Sequence, residues 1–154
     1  MRWLWLSAAV VVLDQFTKAI ASELLALYEA VPVLPGLNLT LMHNTGAAFS
    51  FLSDEGGWQR WFFAAIAVVV SAMLVLWLRR LSPGQRWLSI AIALVIGGAL
   101  GNLWDRFMLG YVIDFIDVYA GRWHWPAFNV ADSAITVGAA MLLFDAFRPQ
   151  RQSP

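Results

Sequence analysis

The sequence contains no cysteine and only two histidines among its 154 residues. The absence of cysteine excludes disulfides, thiol nucleophiles and thiolate metal sites. His43 and His124 lie far apart and do not have the spacing of zinc ligands. We therefore expect no metal and no cofactor, and any catalysis must use oxygen or amine groups.

Charged residues are also scarce. Asp, Glu, Lys and Arg make up 13% of the chain, whereas 60% of it is hydrophobic; a soluble domain usually carries about 25% charged residues. The net charge is zero, so nothing favours nucleic acid as a partner. This composition predicts a membrane protein, and the length predicts one domain, residues 1–154.

Long apolar runs occur four times, at about 3–27, 61–78, 87–106 and 132–147. The second has no charge over eighteen residues, which as a helix extend about 27 Å, close to the ~30 Å hydrocarbon core of a bilayer. We predict an all-α integral membrane fold of four transmembrane helices. Its outer loops would be about 28–59 and 107–131.

The first run also imitates a cleavable signal peptide, because Arg2 precedes an apolar stretch and Ala-Ile-Ala follows at 19–21. Asp14 and Lys18 fall where a signal peptide is normally uncharged, so a retained helix is favoured. With four spans, six of the ten basic residues share one side: Arg2, Arg79, Arg80, Arg86, Arg148 and Arg151. The positive-inside rule then predicts that both termini are cytoplasmic.

The outer loops have their own patterns. Leu37, Leu39 and Leu41 alternate with polar or flexible residues, which predicts a short strand. Residues 48–52, Ala-Phe-Ser-Phe-Leu, suggest a short interfacial helix. Residues 119–127 are rich in aromatics and are expected at the membrane surface.

Two polar patterns interrupt the apolar runs. Asp14 and Lys18 are four residues apart and share one helix face. They could form a buried ion pair or the polar wall of a buried site, and the two roles are compatible. Gly97 and Gly101 form a small-xxx-small pair for helix packing. Gly98, Asn102 and Arg106 share a second face, on which an amide and a guanidinium could bind a peptide backbone.

Asp114 and Asp132 each lie at the outer edge of a predicted span. Taken alone, Asp132 reads as a helix N-cap, and Asp117 reads as a solvated loop acid. If Asp114 and Asp132 converge, however, one of the two pKa values rises and the pair shares a proton. One carboxylate then activates water while the other, protonated, polarises a carbonyl, which is aspartic protease chemistry.

Five blocks, in this order, resemble those of the lipoprotein signal peptidases, also called signal peptidase II, of the bacterial inner membrane. They are residues 14–18, 43–51, 97–106, 110–115 and 128–135. The resemblance covers essentially the whole chain. It implies four transmembrane helices, a small extracytoplasmic β-cradle and a lid-like helix, the last two supplied by residues 30–58.

The resemblance also implies site residues and partners. Asp114 and Asp132 would be the catalytic dyad, supported by Asp14, Lys18, Asn44, Gly46, Gly98, Asn102, Arg106, Asn129 and Ala131. The substrate would be a prolipoprotein whose lipobox cysteine carries diacylglycerol, cut just before that cysteine. The enzyme would be a monomer among membrane lipids, with its active site near the outer face, and globomycin would inhibit it. A helix dipole at Asp132 would favour its ionised form.

Two other functions remain open from the residues alone. Lys18 could act as the base of a Ser-Lys dyad with Ser22, Ser50 or Ser133, although Asp14 one turn away would raise the pKa of the lysine instead of lowering it. A small helical subunit or proton channel could also use buried Asp and Lys residues, but the aromatic outer loops and the one-sided polar face fit a channel poorly.

Overall fold

A computed structural model describes residues 2–46 and 58–147. In chain order its elements are α1 (Leu4–Leu24), β1 (Ala30–Leu34), β2 (Leu37–Asn44), α2 (Trp58–Arg80), α3 (Arg86–Met108), β3 (Val112–Ala120), β4 (Trp123–His124) and α4 (Val130–Ala146). The four helices lie where the four apolar runs predict them. The interfacial helix predicted at residues 48–52 lies outside the described residues.

Three helices of the described chain, α1, α2 and α3, are long and apolar enough to cross a membrane. The fourth, α4, has 17 residues and extends about 25 Å at 1.5 Å per residue, slightly less than the hydrocarbon core. Large apolar side chains such as Val12, Phe16 and Met73 are more than half exposed. Outward-facing side chains of this kind are what a lipid environment requires, so the fold is that of a membrane protein.

The most buried of these three helices is α3, which packs against each of the other three helices. Its glycines permit this. A Cβ at Gly97 would approach the backbone oxygen of Ser7 and the side chain of Val10 in α1. A Cβ at Gly98 would overlap the backbone oxygen of Ala131 and the side chain of Ile135 in α4. The predicted packing role of Gly97 is confirmed. Gly101, predicted together with it, also lies against α1, where a Cβ would approach the carboxylate of Asp14.

The four strands form one antiparallel sheet in the order β1-β2-β3-β4. The strand predicted from the alternating leucines is confirmed as β2, and its register places Met42 opposite Asp114 in β3. Assigning the β-cradle to residues 30–58 was incomplete, since β3 and β4 come from residues 112–124. β3 is buried over most of its length. Its residues are therefore mostly apolar, and the sequence pattern does not separate this strand from the preceding span.

Candidate active site

Asp114 lies in the middle of the sheet and is only 2% exposed. Both of its carboxylate oxygens accept hydrogen bonds. Asn44 on β2 donates its amide nitrogen to Oδ2 at 2.9 Å, and Asn129 donates its amide nitrogen to Oδ1 at 2.7 Å. The carboxyl group is therefore held from two sides by side chains distant in the sequence.

Asp132 lies in the first turn of α4, but it is not the N-cap as its position in the sequence suggested. Asn129 is the N-cap, and its side-chain oxygen accepts the backbone N–H of Asp132 at 2.8 Å. In return, Oδ2 of Asp132 accepts the backbone N–H of Asn129 at 3.3 Å, which completes a capping box. The Asp132 carboxylate thus lies at the positive end of the helix dipole.

Two asparagines link the two carboxylates. Asn102 on α3 donates to Oδ1 of Asp132 at 2.7 Å and accepts from the amide nitrogen of Asn129 at 3.1 Å. The same Asn129 nitrogen donates to Asp114. Asp114 and Asp132 are brought into one hydrogen-bonded network, as the sequence predicted, and Asn102 and Asn129 occupy the positions between them.

The electrostatics of this network favour the neutral form of Asp114. Burial, together with the negative charge of Asp132, raises the pKa of Asp114 to about 7, against hydrogen bonds from Asn44 and Asn129 that lower it. A carboxyl group with such a pKa is half protonated near pH 7 and mostly protonated below that pH. Asp114 can therefore donate a hydrogen bond where an ordinary aspartate could only accept one.

A buried ion cluster lies behind the network. The ammonium of Lys18 is 2.8 Å from Oδ2 of Asp14 and 2.8 Å from Oδ2 of Asp105, and it donates to Oδ1 of Asn102 at 3.0 Å. The predicted Asp14–Lys18 pair is confirmed. Asp105 was missed by the sequence reasoning, although it lies four residues after Gly101 on the face that packs against α1.

Each carboxylate of the cluster also holds a backbone N–H near one of the two network aspartates. Oδ1 of Asp14 accepts the N–H of Ala131, next to Asp132, at 2.9 Å. Oδ2 of Asp105 accepts the N–H of Ile113, next to Asp114, at 3.1 Å. Because the carboxylates are buried and all of their oxygens accept hydrogen bonds, the cluster fixes the backbone on both sides of the site.

The remaining predicted residues lie at its margin. Gly46 has a left-handed φ of +96°, and its N–H donates to Oδ1 of Asn44 at 2.9 Å, which orients the amide that holds Asp114. Arg106 also lies at the margin of the site. Its guanidinium donates to the backbone oxygen of Asn102 at 3.2 Å and lies 5.4 Å from the ring centre of Phe63, and within the described ranges it forms no ion pair with either aspartate within 4.0 Å.

The expectation that Asp117 is a solvated loop acid is wrong, because the residue is only 4% exposed. Its carboxylate accepts hydrogen bonds from Asn38 at 3.1 Å and Thr40 at 3.4 Å and pairs with His124 at 2.7 Å. Burial alone would raise the pKa of Asp117, but these partners together outweigh burial and lower the pKa. Asp117 is thus a structural acid that joins β2, β3 and β4, separate from the Asp114 network.

Lys18 is unsuited to the base role of a Ser-Lys dyad. Its three N–H donors match its three oxygen partners, two of which belong to carboxylates. The ammonium is therefore already fully hydrogen-bonded and has no donor left for a serine hydroxyl. The hydroxyl of Ser133 donates to the backbone oxygen of Asn129 at 2.9 Å instead. In the described part of the chain, no three His, Asp or Glu side chains are arranged to hold a metal ion.

An apolar cavity of about 490 Å³ opens beside Asp132. Its walls include Trp125, Phe128, Thr136 and Val137. An apolar group of a substrate bound in this cavity would lie next to the Asp132 carboxylate. The arrangement therefore suits a substrate in which a polar bond adjoins a large apolar group.

Comparison with known proteins identifies the family of this chain. A family profile described as signal peptidase (SPase) II matches residues 6–148. The chain belongs to the signal peptidase II family. It is therefore a membrane-embedded bacterial peptidase. The predicted function, removal of signal peptides from prolipoproteins, is confirmed.

Individual relatives agree with the family assignment. The lipoprotein signal peptidase of Pseudomonas aeruginosa (strain UCBPP-PA14) is 60% identical over 153 residues, which cover 98% of this chain and 90% of the relative. The lipoprotein signal peptidase of Alteromonas mediterranea is 53% identical over 148 residues, covering 96% of this chain and 81% of the relative.

Solved structures support the fold. A bacterial membrane enzyme determined by the in meso method at 1.9 Å resolution superimposes with a TM-score of 0.85 at 31% identity, covering 97% of this chain and 94% of that one. A second such structure, at 2.3 Å resolution, gives a TM-score of 0.82 at 32% identity and covers 99% and 94% of the two chains.

The ion cluster predicts the effect of Lys18→Ala. The substitution leaves two buried carboxylates without their shared cation, so we expect a loss of roughly 3–5 kcal/mol in the free energy of unfolding. The yield of folded protein should fall more than the turnover per folded molecule. Thermal unfolding in detergent and cleavage normalised to folded protein measure the two effects.

Arg122→Ala is the matched control, because Arg122 is an exposed cation in the turn between β3 and β4. It should change neither quantity. A well-folded but inactive Lys18→Ala protein would contradict a mainly structural role and restore Lys18 as a candidate base.

Proposed function

We propose that Asp114 and Asp132 are the catalytic pair with which this peptidase removes signal peptides from prolipoproteins. The observation that carries the proposal is the continuous hydrogen-bonded link from Asp114 through Asn129 and Asn102 to Asp132. It holds a buried and a half-buried carboxyl group in one network, in which the charge of Asp132 acts on Asp114, as is required of a pair that shares one proton. The scissile bond would be the one before a cysteine that carries diacylglycerol.

The two acids would divide the chemistry. Asp114, whose pKa is raised to about 7, keeps its proton and donates a hydrogen bond to the scissile carbonyl. Asp132, at the helix N-terminus with hydrogen bonds from Asn102 and the backbone of Asn129, is ionised and takes a proton from the attacking water. The tetrahedral intermediate then breaks as Asp132 passes the proton it took from water to the leaving amine, which restores the ionised carboxylate.

The cavity beside Asp132 supports this choice of substrate. Its walls are mostly apolar, and it reaches the carboxylate that would activate water. A lipidated cysteine places a long apolar group directly next to the bond to be cut. An apolar space adjoining the carboxylate is therefore what such a substrate requires.

Arg106 would position the substrate and take no part in proton transfer. Its guanidinium is held by the Asn102 carbonyl and the Phe63 ring and is half-buried, with donors to spare for a substrate carbonyl. Gly98 and Ala131 would shape the site by allowing α3 and α4 to approach. Asn44 and Gly46 would hold Asp114 from the side of the sheet.

The proposed layout has four spans in the bacterial inner membrane, α4 being the fourth. Both termini would lie in the cytoplasm, and the sheet and the acid pair near the outer face. The distribution of arginines supports this orientation, since Arg79, Arg80 and Arg86 flank the α2–α3 loop. The enzyme would act as a monomer among lipids, and globomycin would occupy the acid pair.

Asparagine at either acid should abolish cleavage. Asp114→Asn and Asp132→Asn keep the size of the side chain but can neither take the proton of water nor share a proton. We expect each to fold, bind substrate and lose at least about 10³-fold in kcat, with the double variant little worse, because groups acting as a unit are not additive. Cleavage of a lipidated precursor by purified protein measures this.

Asp117→Asn is the control. It alters a buried carboxylate on the same strand, three residues away and outside the network, so turnover per folded molecule should be largely retained. An inactive Asp117→Asn beside an active Asp114→Asn would place the pair on the wrong aspartate.

The pH dependence follows from Asp114. Its carboxyl is protonated below about pH 7 and releases its proton as the pH rises through that value, so kcat/KM should fall above pH 7. The folded pKa exceeds the ordinary value of 3.8, so the wild-type protein should also lose stability between about pH 4 and pH 7. Asp114→Asn should lack that loss of stability. Cleavage that keeps rising from pH 7 to pH 9 would contradict a protonated Asp114.

Topology can be tested with reporter fusions. A reporter joined at Gln85 in the α2–α3 loop should be cytoplasmic, and one joined at Gly121 in the β3–β4 turn should lie outside. Paired alkaline phosphatase and green fluorescent protein fusions at both positions report the side. The same side for both would rule out the proposed layout.

A further inference from the structure

Two adjoining cavities lie at the end of the helix bundle opposite the acid pair. One, of about 280 Å³, is lined by Arg2, Trp3, Trp5 and Arg86. The other, of about 340 Å³, shares Arg2 and Trp3 and continues along the α2–α3 loop. Arg86 begins α3 and Asn102 comes sixteen residues later, roughly 24 Å along the helix. We call the two cavities together the arginine crevice; it belongs to no part of the catalytic site.

The charge of the arginine crevice is positive and not compensated. Its two guanidinium groups come from different elements, Arg2 before α1 and Arg86 at the start of α3. Neither has a carboxylate within 4.0 Å among the described residues, and no Asp or Glu lines either cavity. Two unpaired guanidinium groups that share a cavity form a complementary site for an anion with several oxygens.

The walls of the arginine crevice are apolar and aromatic. Trp3 lies beneath the Arg2 guanidinium, 5.8 Å from ring centre to charge, which orients that group. Trp5, in the first turn of α1, is 63% exposed. Tryptophans concentrate at the level of the lipid head groups, so the crevice opens where head groups lie.

We propose that the arginine crevice binds the phosphodiester of an anionic phospholipid, with the acyl chains along the apolar face of α1. The two guanidinium groups supply forked donors for the phosphate oxygens, and the exposed apolar side chains of α1 supply the surface for the chains. An inorganic phosphate would use only the first of these features, and a zwitterionic lipid would retain the positive group that the crevice repels. The bound lipid would tie the start of α1 to the start of α3, a role beyond that of the peptidase site.

Lipid binding to purified protein in detergent micelles tests this. Native mass spectrometry would measure the Kd of phosphatidylglycerol for the parent protein and for Arg2→Gln/Arg86→Gln. The control is Arg79→Gln/Arg80→Gln, which removes the same charge at the same end of the bundle, from exposed positions that line neither cavity. Phosphatidylethanolamine and inorganic phosphate are the comparison ligands.

We expect the crevice variant to bind phosphatidylglycerol about 30-fold more weakly, since each basic residue near a membrane contributes roughly fivefold. The control variant should change affinity by less than threefold. Phosphatidylethanolamine should bind weakly to all three proteins, and millimolar inorganic phosphate should not displace the lipid.

Three results would overturn the proposal. Equal losses in both double variants would show only general attraction to basic residues. Equal binding of phosphatidylethanolamine would show an apolar surface without a phosphate site, and displacement by inorganic phosphate would show a site for a free anion. The single variants Arg2→Gln and Arg86→Gln provide the same comparison, each with about a fivefold loss, if the double variant is poorly folded. Cleavage of the precursor by the crevice variant should be unchanged, which confirms its fold.

Discussion

The ammonium of Lys18 between the carboxylates of Asp14 and Asp105 is the interaction on which the rest of this structure depends. All three groups are almost completely removed from solvent, where an unpaired charge would be very unfavourable. The cluster is tolerated because every charge has a partner and each carboxylate also accepts a backbone N–H, from Ala131 or Ile113. It thereby joins α1, α3, α4 and β3 at one point beneath the acid pair.

A consequence of this arrangement is that the two proposed catalytic acids are held by different kinds of structure. Asp114 is carried by a strand, and burial favours its neutral form. Asp132 is carried by the first turn of a helix, where the N-terminal dipole and a backbone N–H favour a negative charge. The same side chain on two elements can therefore take opposite protonation states, as a single proton shared between two carboxyl groups demands.

The distribution of charge along the helix bundle is also uneven. Buried acids and amides occupy the end that carries the sheet, whereas Arg2, Arg86, Trp3 and Trp5 line the crevice at the opposite end. Apolar side chains in the middle of the helix bundle separate the two ends, so the charges at one end do not screen those at the other. The acid end suits bond cleavage next to an apolar substrate, and the basic end suits contact with negatively charged head groups. One short chain thus has two polar surfaces with opposite preferences.

The sequence by itself determined the helices, the strand β2, the close packing at Gly97 and Gly101, and the ion pair of Asp14 with Lys18. These depend on local periodicity or on residues one helical turn apart, which a linear pattern reports directly. The five sequence blocks also determined the family. The blocks, and not the spacing of the acids, specified which aspartates to pair, because eighteen residues of separation alone fix no distance between side chains.

Only the tertiary structure decided which polar groups meet. Asp105 joined the Lys18 cluster and Asp117 became buried among Asn38, Thr40 and His124; neither outcome was predicted from the sequence. Asn129 and not Asp132 proved to be the helix cap, because two polar residues three apart can each cap the same turn and the packing around them makes the choice. Burial and hydrogen bonding depend on residues far apart in the chain, and so the pKa of Asp114 and the link between the two acids were fixed only when α3, α4 and the sheet came together.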